Sequence, residues 1–168
     1  QFVALANDAH ARGMKIILDG VFNHVSSDSI YMDRYHRYSE VGACEDTASP
    51  YRDWFTFHDV TPGTGHCVSS TGVPDAATYD SWWGFDSIPV LNKNNPAVVD
   101  LIYDANDAIA RYWLGLGADG WRLDVMPDAS FPPGFWQHFR QVVLDAKPDA
   151  VILGELWKKA DVLPYIYG

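Results

Sequence analysis

The chain has 168 residues, enough for one domain with a substantial core. With 48% hydrophobic and 14% aromatic residues it is too apolar to be a disordered segment. A net charge of −10 argues against nucleic acid and anionic membrane as partners, and no apolar run approaches the roughly 20 residues of a membrane span.

The chain opens inside a helical pattern. Phe2, Leu5, Ala6 and Ala9 recur at helical spacing, and Gly13 ends the run. There is no initiator Met at the start and no natural finish at Gly168, so the sequence reads as an internal segment of a longer protein. Residues 14–18 (Met-Lys-Ile-Ile-Leu) predict a buried strand that runs into Asp19-Gly20-Val21-Phe22-Asn23-His24. Asp19, directly after the apolar run, is expected to be buried with it.

The pattern then breaks. Between Val25 and Lys93 no period is sustained, and Ser, Gly, Pro, Asp and aromatic residues dominate. A structureless stretch of that length is improbable inside a compact domain, so an inserted subdomain is expected. Its two cysteines, Cys44 and Cys67, admit two readings. A disulfide would close a loop of roughly 20 residues, contribute about 3 kcal/mol in the chain-entropy model and imply an extracellular or periplasmic setting. The alternative is two unpaired thiols. Tyr79-Asp80-Ser81-Trp82-Trp83-Gly84-Phe85 is dense in aromatics, which suits either subdomain core or an aromatic wall for sugar rings.

Order returns at Asn95-Pro96, a helix cap followed by proline at the first helical position. Val98, Leu101, Ile102, Ala105, Ile109, Tyr112 and Trp113 trace one helix face up to Gly115 and Gly117. A strand over 118–125 follows, then a helix from about Pro133 with Phe135, Phe139, Val142 and Val143 inward, then a strand over 150–155.

Alternating strands and helices imply parallel strands with right-handed crossovers. Two α/β architectures fit: an eight-fold β/α barrel and an open doubly wound sheet. Gly63-Thr64-Gly65 is too short to be a phosphate loop and follows no strand. All three predicted strands end in polar residues, which favours the barrel, where chemistry gathers at the C-terminal ends of the strands.

Two of those ends carry carboxylates, Asp124 and Glu155. A carboxylate at the mouth of a buried strand is costly unless it is paired or used. A pair on successive strands suits cleavage of a glycosidic bond. Arg122 lies two residues before Asp124 and faces the same way, which holds Asp124 ionised as a nucleophile. Glu155, between Gly154 and Leu156-Trp157, is expected to have a raised pKa and to serve as general acid. A buried ion pair and a capping Glu are the structural alternatives. His24 fits a donor to a sugar hydroxyl or a satisfied structural histidine. Asp19, His24, Asp124 and Glu155 also fit the ligands of a metal-dependent lyase.

Together these residues resemble glycoside hydrolase family 13, the α-amylase family, and its neopullulanase, cyclomaltodextrinase and amylopullulanase branches. Asp19-Gly-Val-Phe-Asn-His24 is similar to its first motif, Gly120-Trp-Arg-Leu-Asp124 to its second, Glu155-Leu-Trp157 to its third, and Ile88-Pro-Val-Leu-Asn92 to its fifth. The resemblance covers essentially the whole chain. It implies a partial (β/α)8 TIM barrel, strands 3 to 5, with residues 1–24 and 94–168 in the barrel and 25–93 an inserted domain B.

The resemblance also implies roles. Asp124 is the nucleophile, Glu155 the acid and then the base, and His24, Arg122, Trp83 and Trp157 sugar-contacting groups. Asp19 supports the site, and Asn23 matches a ligand of a structural Ca2+. The implied function is a retaining hydrolase of α-glucans such as starch and pullulan, at α-1,4 and α-1,6 bonds. A transferase or isomerase of the same fold is the alternative, and a catalytically inactive binding relative is a further one. The chain departs from the family after Asp124, where Val125-Met126-Pro127-Asp128 replaces the usual acceptor-side pair. It also ends before the family's fourth motif, with its His-Asp, so the segment by itself is expected to be inactive.

Overall fold

The computed structural model describes residues 1–58, 67 and 78–157. Gly63-Thr64-Gly65 lies outside them. The chain divides into two compact units, one of residues Gln1–Phe22 and Val99–Gly168, the other Asn23–Val98. The second unit therefore takes in Asn23 and His24 at one end and the turn at 94–98 at the other, beyond the span 25–93.

The first unit holds three parallel strands, β1 (Ile17–Gly20), β2 (Gly120–Leu123) and β3 (Val151–Gly154), in the order β1-β2-β3. Ile17 pairs with Gly120 and Gly120 with Val151, so the strands start level. Only the central strand is buried as expected. Leu18 is half-buried, and Leu153 is 51% exposed. Within this three-stranded segment β1 and β3 each have a neighbour on one side only. The strands are also shorter than the apolar runs; β1 begins at Ile17 rather than at Met14. Gly120 is required where β2 meets β3, because a Cβ there would collide with the Val151 carbonyl.

Helix α1 (Phe2–Ala11) ends before Gly13, which takes a φ of 73°. The single helix expected from Asn95 to Gly115 is broken. Asn95 caps α2 (Pro96–Val99) through Oδ1, which accepts from the Ala97 N–H at 2.9 Å. A π-helical turn covers Asp100–Asp104, Ala105 is extended, and α3 (Ile109–Gly115) starts anew. Asp104, Asn106 and Asp107 crowd the break, and such side chains compete with helical backbone bonds. Helix α4 (Phe135–Ala146) buries Phe135, Phe139, Val142 and Val143. Phe22, Trp121, Phe139 and Tyr103 continue this core, with ring centroids 5.4 to 5.9 Å apart.

At the N-terminal side of the sheet, Asp119 is 4% exposed. It accepts from the Ile16 N–H at 2.9 Å and lies 2.7 Å from His10 Nε2 and 3.4 Å from Lys15 Nζ. Burial pushes its carboxyl up, but the Ile16 N–H and the His10 and Lys15 partners outweigh burial and hold its pKa at about 2.

The second unit is held by short antiparallel bridges (His24–Val90, Phe55–Leu91, Phe57–Tyr79, Ser81–Pro89). Its core includes Met32, Phe55, Tyr79 and Leu91, and Cys44 and Cys67 form a disulfide in it. Burial pushes the Tyr79 hydroxyl up to about 12, and that hydroxyl donates to the Asp86 carbonyl. Among the described residues no helix is long and apolar enough to cross a membrane.

Candidate functional site

The three strand ends of the first unit bring Asp19, Arg122, Asp124 and Glu155 together. The guanidinium of Arg122 joins all three carboxylates. Nη1 donates to Asp19 Oδ1 at 2.8 Å and to Asp124 Oδ1 at 2.7 Å, and Nη2 lies 2.7 Å from Glu155 Oε1. A planar fork of five N–H donors suits this, where a lysine ammonium is a point charge with three. The Asp19 and Asp124 hydrogen bonds, together with the nearby charge of Glu155, raise the Arg122 pKa further, so this cation is permanent. Period-2 alternation explains why Arg122 and Asp124 share a face.

The backbone sets the carboxylates in place. The Asp124 N–H donates to the Gly20 carbonyl at 3.2 Å and the Glu155 N–H to the Leu123 carbonyl at 2.9 Å, extending the ladders one residue beyond the strands. The chain then turns sharply at Val125, whose φ is 41°. That is a strained conformation for a β-branched residue. It aims the Val125 N–H at Glu155 Oε2, 3.0 Å away. The next residue, Met126, lies over Gly154, where a Cβ would collide with its sulfur.

Two sequence expectations change here. Asp19 is exposed, its side chain 59% accessible. The Glu155 pKa is lowered, not raised. The Val125 N–H and a hydrogen bond from Trp157 stabilise its anion, with smaller help from Arg122 and Asp124, and they outweigh desolvation. An apolar neighbourhood in sequence did not reveal these donors. Trp157 itself is 63% exposed beside Glu155.

His24, Asn23 and Trp83 belong to the second unit. Asn23 Nδ2 lies 3.4 Å from His24 Nδ1. The His24 ring stacks on Trp82 with centroids 5.5 Å apart, and Trp82 stacks on Trp83 at 5.2 Å. Trp83 is 71% exposed and holds a φ of 53°. Trp82, the middle of this stack, was visible in the aromatic run but not separable from its neighbours.

Asn23 is fully buried, and its oxygens are already engaged. Its Oδ1 accepts from the Lys93 ammonium at 2.8 Å, and its carbonyl accepts from Lys93 at 3.2 Å and from the Leu91 N–H at 3.0 Å. This does not fit the calcium ligand that the motif suggests. Lys93 was missed in the sequence because one lysine after Asn92 carries no sign of being buried.

The model of the α-amylase catalytic domain matches residues 1–168. The chain belongs to the α-amylase family. An amylopullulanase of Thermoanaerobacterium saccharolyticum is 40% identical over 96% of the chain, and neopullulanase 2 of Thermoactinomyces vulgaris is 36% identical over 95%. The chain spans 13% and 24% of the length of those two relatives. Among solved structures, the native Nostoc punctiforme debranching enzyme matches 95% of the chain and 29% of its own length, with a TM-score of 0.76 at 35% identity. A cyclic α-maltosyl-(1→6)-maltose hydrolase of Arthrobacter globiformis matches 94% of the chain and 30% of its own, with a TM-score of 0.73 at 30% identity. The three-stranded sheet is thus a sector of the α-amylase family's TIM barrel, not of a doubly wound sheet. Asp124 and Glu155, at the C-terminal ends of adjacent barrel strands, occupy the face where barrel enzymes do chemistry. The loop after Asp124 folds into a hollow lined by Met126, Pro127, Phe131, Pro133 and Trp136.

Proposed function

We propose that the protein containing this chain is a retaining α-glucan hydrolase that opens α-1,4 and α-1,6 glucosidic bonds of starch- and pullulan-type chains by double displacement. The observation that carries this reading is the shared guanidinium: Asp124 and Glu155 each lie 2.7 Å from a nitrogen of Arg122. Retaining enzymes need two carboxyl groups about 5–5.5 Å apart, and the shared guanidinium draws these two toward one another. The names of the relatives, amylopullulanase and neopullulanase, support the substrate class.

In the first half-reaction an Asp124 oxygen attacks the anomeric carbon while Glu155 gives a proton to the departing glycosidic oxygen. A glycosyl ester forms on Asp124 and the shortened glucan leaves. In the second, Glu155 as carboxylate takes a proton from water, which opens the ester and frees Asp124. The resting Glu155 is held as an anion by the donors around it. It takes up its proton when bound sugar excludes water, since desolvation disfavours the anion. Within the second unit, the His24–Trp82–Trp83 stack offers aromatic faces to sugar rings and the His24 ring a polar contact to a hydroxyl.

The Cys44–Cys67 disulfide supports an extracellular or periplasmic setting. The test of the reaction is to trap the ester. A slow fluorinated α-glucosyl substrate given to the full-length protein should add one sugar mass to the peptide holding Asp124. A label elsewhere, or none with turnover intact, overturns the reading. Product chains longer than the substrate would assign the same ester to glycosyl transfer.

A further inference from the structure

Lys93 is 1% exposed, and an ammonium buried to that degree is costly unless its N–H groups find acceptors. Among the described residues it finds acceptors in the Oδ1 and the main-chain carbonyl of Asn23. These residues are 70 apart in sequence and lie near the two ends of the second unit. The Leu91 N–H reaches the same Asn23 carbonyl at 3.0 Å, so the pairing continues the bridges around His24–Val90 and Phe55–Leu91. Lys93 therefore fastens the start of the unit to its finish.

A calcium ion would act on the same oxygens. It takes six to eight oxygen ligands at about 2.3–2.6 Å. To reach Asn23 Oδ1 it would have to stand beside the Lys93 nitrogen, itself 2.8 Å from that oxygen, where the two cations repel.

We propose that the Lys93 ammonium does at Asn23 the work of a structural calcium, a tethered cation closing the second unit with no divalent ion at that position. The inference is independent of the catalytic reading, since it concerns the fold of the second unit and not the strand-end carboxylates.

The test uses the full-length protein and two variants, Lys93→Met and Asn23→Ala, with two readouts. One is bound calcium per chain after dialysis, by elemental mass spectrometry. The other is Tm with calcium and with chelator. Lys93→Met keeps the bulk of the side chain and removes the charge. It should melt several degrees below the parent, with the same calcium content and the same response to chelator. A Lys93→Met protein that melts with the parent overturns the proposal. So does loss of one bound calcium in Asn23→Ala. Should Lys93→Met fail to fold, an Asn23→Ala protein with calcium content equal to the parent's supports it.

Discussion

The main-chain N–H of Val125 donates to Oε2 of Glu155 at 3.0 Å, and Val125 adopts a φ of 41° in doing so. The residue that follows one strand-end carboxylate thus holds the other. A positive φ costs a β-branched residue about 1–3 kcal/mol, which the surrounding structure must offset.

Val125→Gly keeps the N–H and relieves the strain, while glycine's greater chain entropy works the other way. Its stability should stay within about 1 kcal/mol of the parent, and its alkaline limb of kcat/KM against pH, where the general acid loses its proton, should not move. Val125→Pro removes the donor and cannot take a positive φ. The Glu155 anion then loses its strongest support, so its pKa rises and the alkaline limb moves to higher pH. An alkaline limb that stays put in Val125→Pro would refute the assigned hydrogen bond.

Asp124→Asn and Glu155→Gln in the full-length protein should each remove most activity. For Glu155→Gln a loss of about 10²–10⁴ in kcat is expected from its acid–base role. Azide should restore turnover to Glu155→Ala, releasing a glycosyl azide, because a small anion needs no general base to open the Asp124 ester. Failure of rescue would count against Glu155 as the acid–base.

Asp119 predicts a pH-dependent stability. Its folded pKa of about 2 lies below the ordinary value of 3.8, so the stabilisation is present above about pH 4 and fades as pH falls toward 2. A shift of that size is worth on the order of 2 kcal/mol. Asp119→Ala should therefore lower Tm at neutral pH, and the gap to the parent should narrow on acidification. A gap independent of pH would show that Asp119 acts through packing alone.

Trp83 is 71% exposed but continues the His24–Trp82 stack. Trp83→Ala should raise KM for maltooligosaccharides about 2- to 10-fold with Tm unchanged, the range expected of one ring contact. An unaltered KM would leave Trp83 as surface only.

The disulfide joins residues 23 apart. Its removal in a Cys44→Ala, Cys67→Ala double variant should cost about 3 kcal/mol, through the freedom restored to the unfolded loop. Equal urea midpoints for parent and variant would contradict this.

Much of the candidate site was legible in the chain. Arg122 and Asp124 had to share a face, because strand side chains alternate, and Glu155 had to end the next strand, because an apolar run led into it. The helix expected over 95–115 fared less well, since hydrophobic spacing carries no record of the extended Ala105 that interrupts it. The ionisation of Glu155 was misread for a similar reason. Its main-chain donor comes from Val125, 30 residues away, and no local pattern reports such a partner.

By itself, then, the order of residues determined the strand-and-helix alternation, the identity of the carboxylates and the family, because these depend on local periodicity and on short spacings. The tertiary structure alone decided which groups share Arg122, which way Glu155 titrates, how His24 stacks through Trp82, and that Lys93 reaches Asn23. Those are contacts between distant segments, and their energies depend on distance and burial, which exist only once the chain has folded.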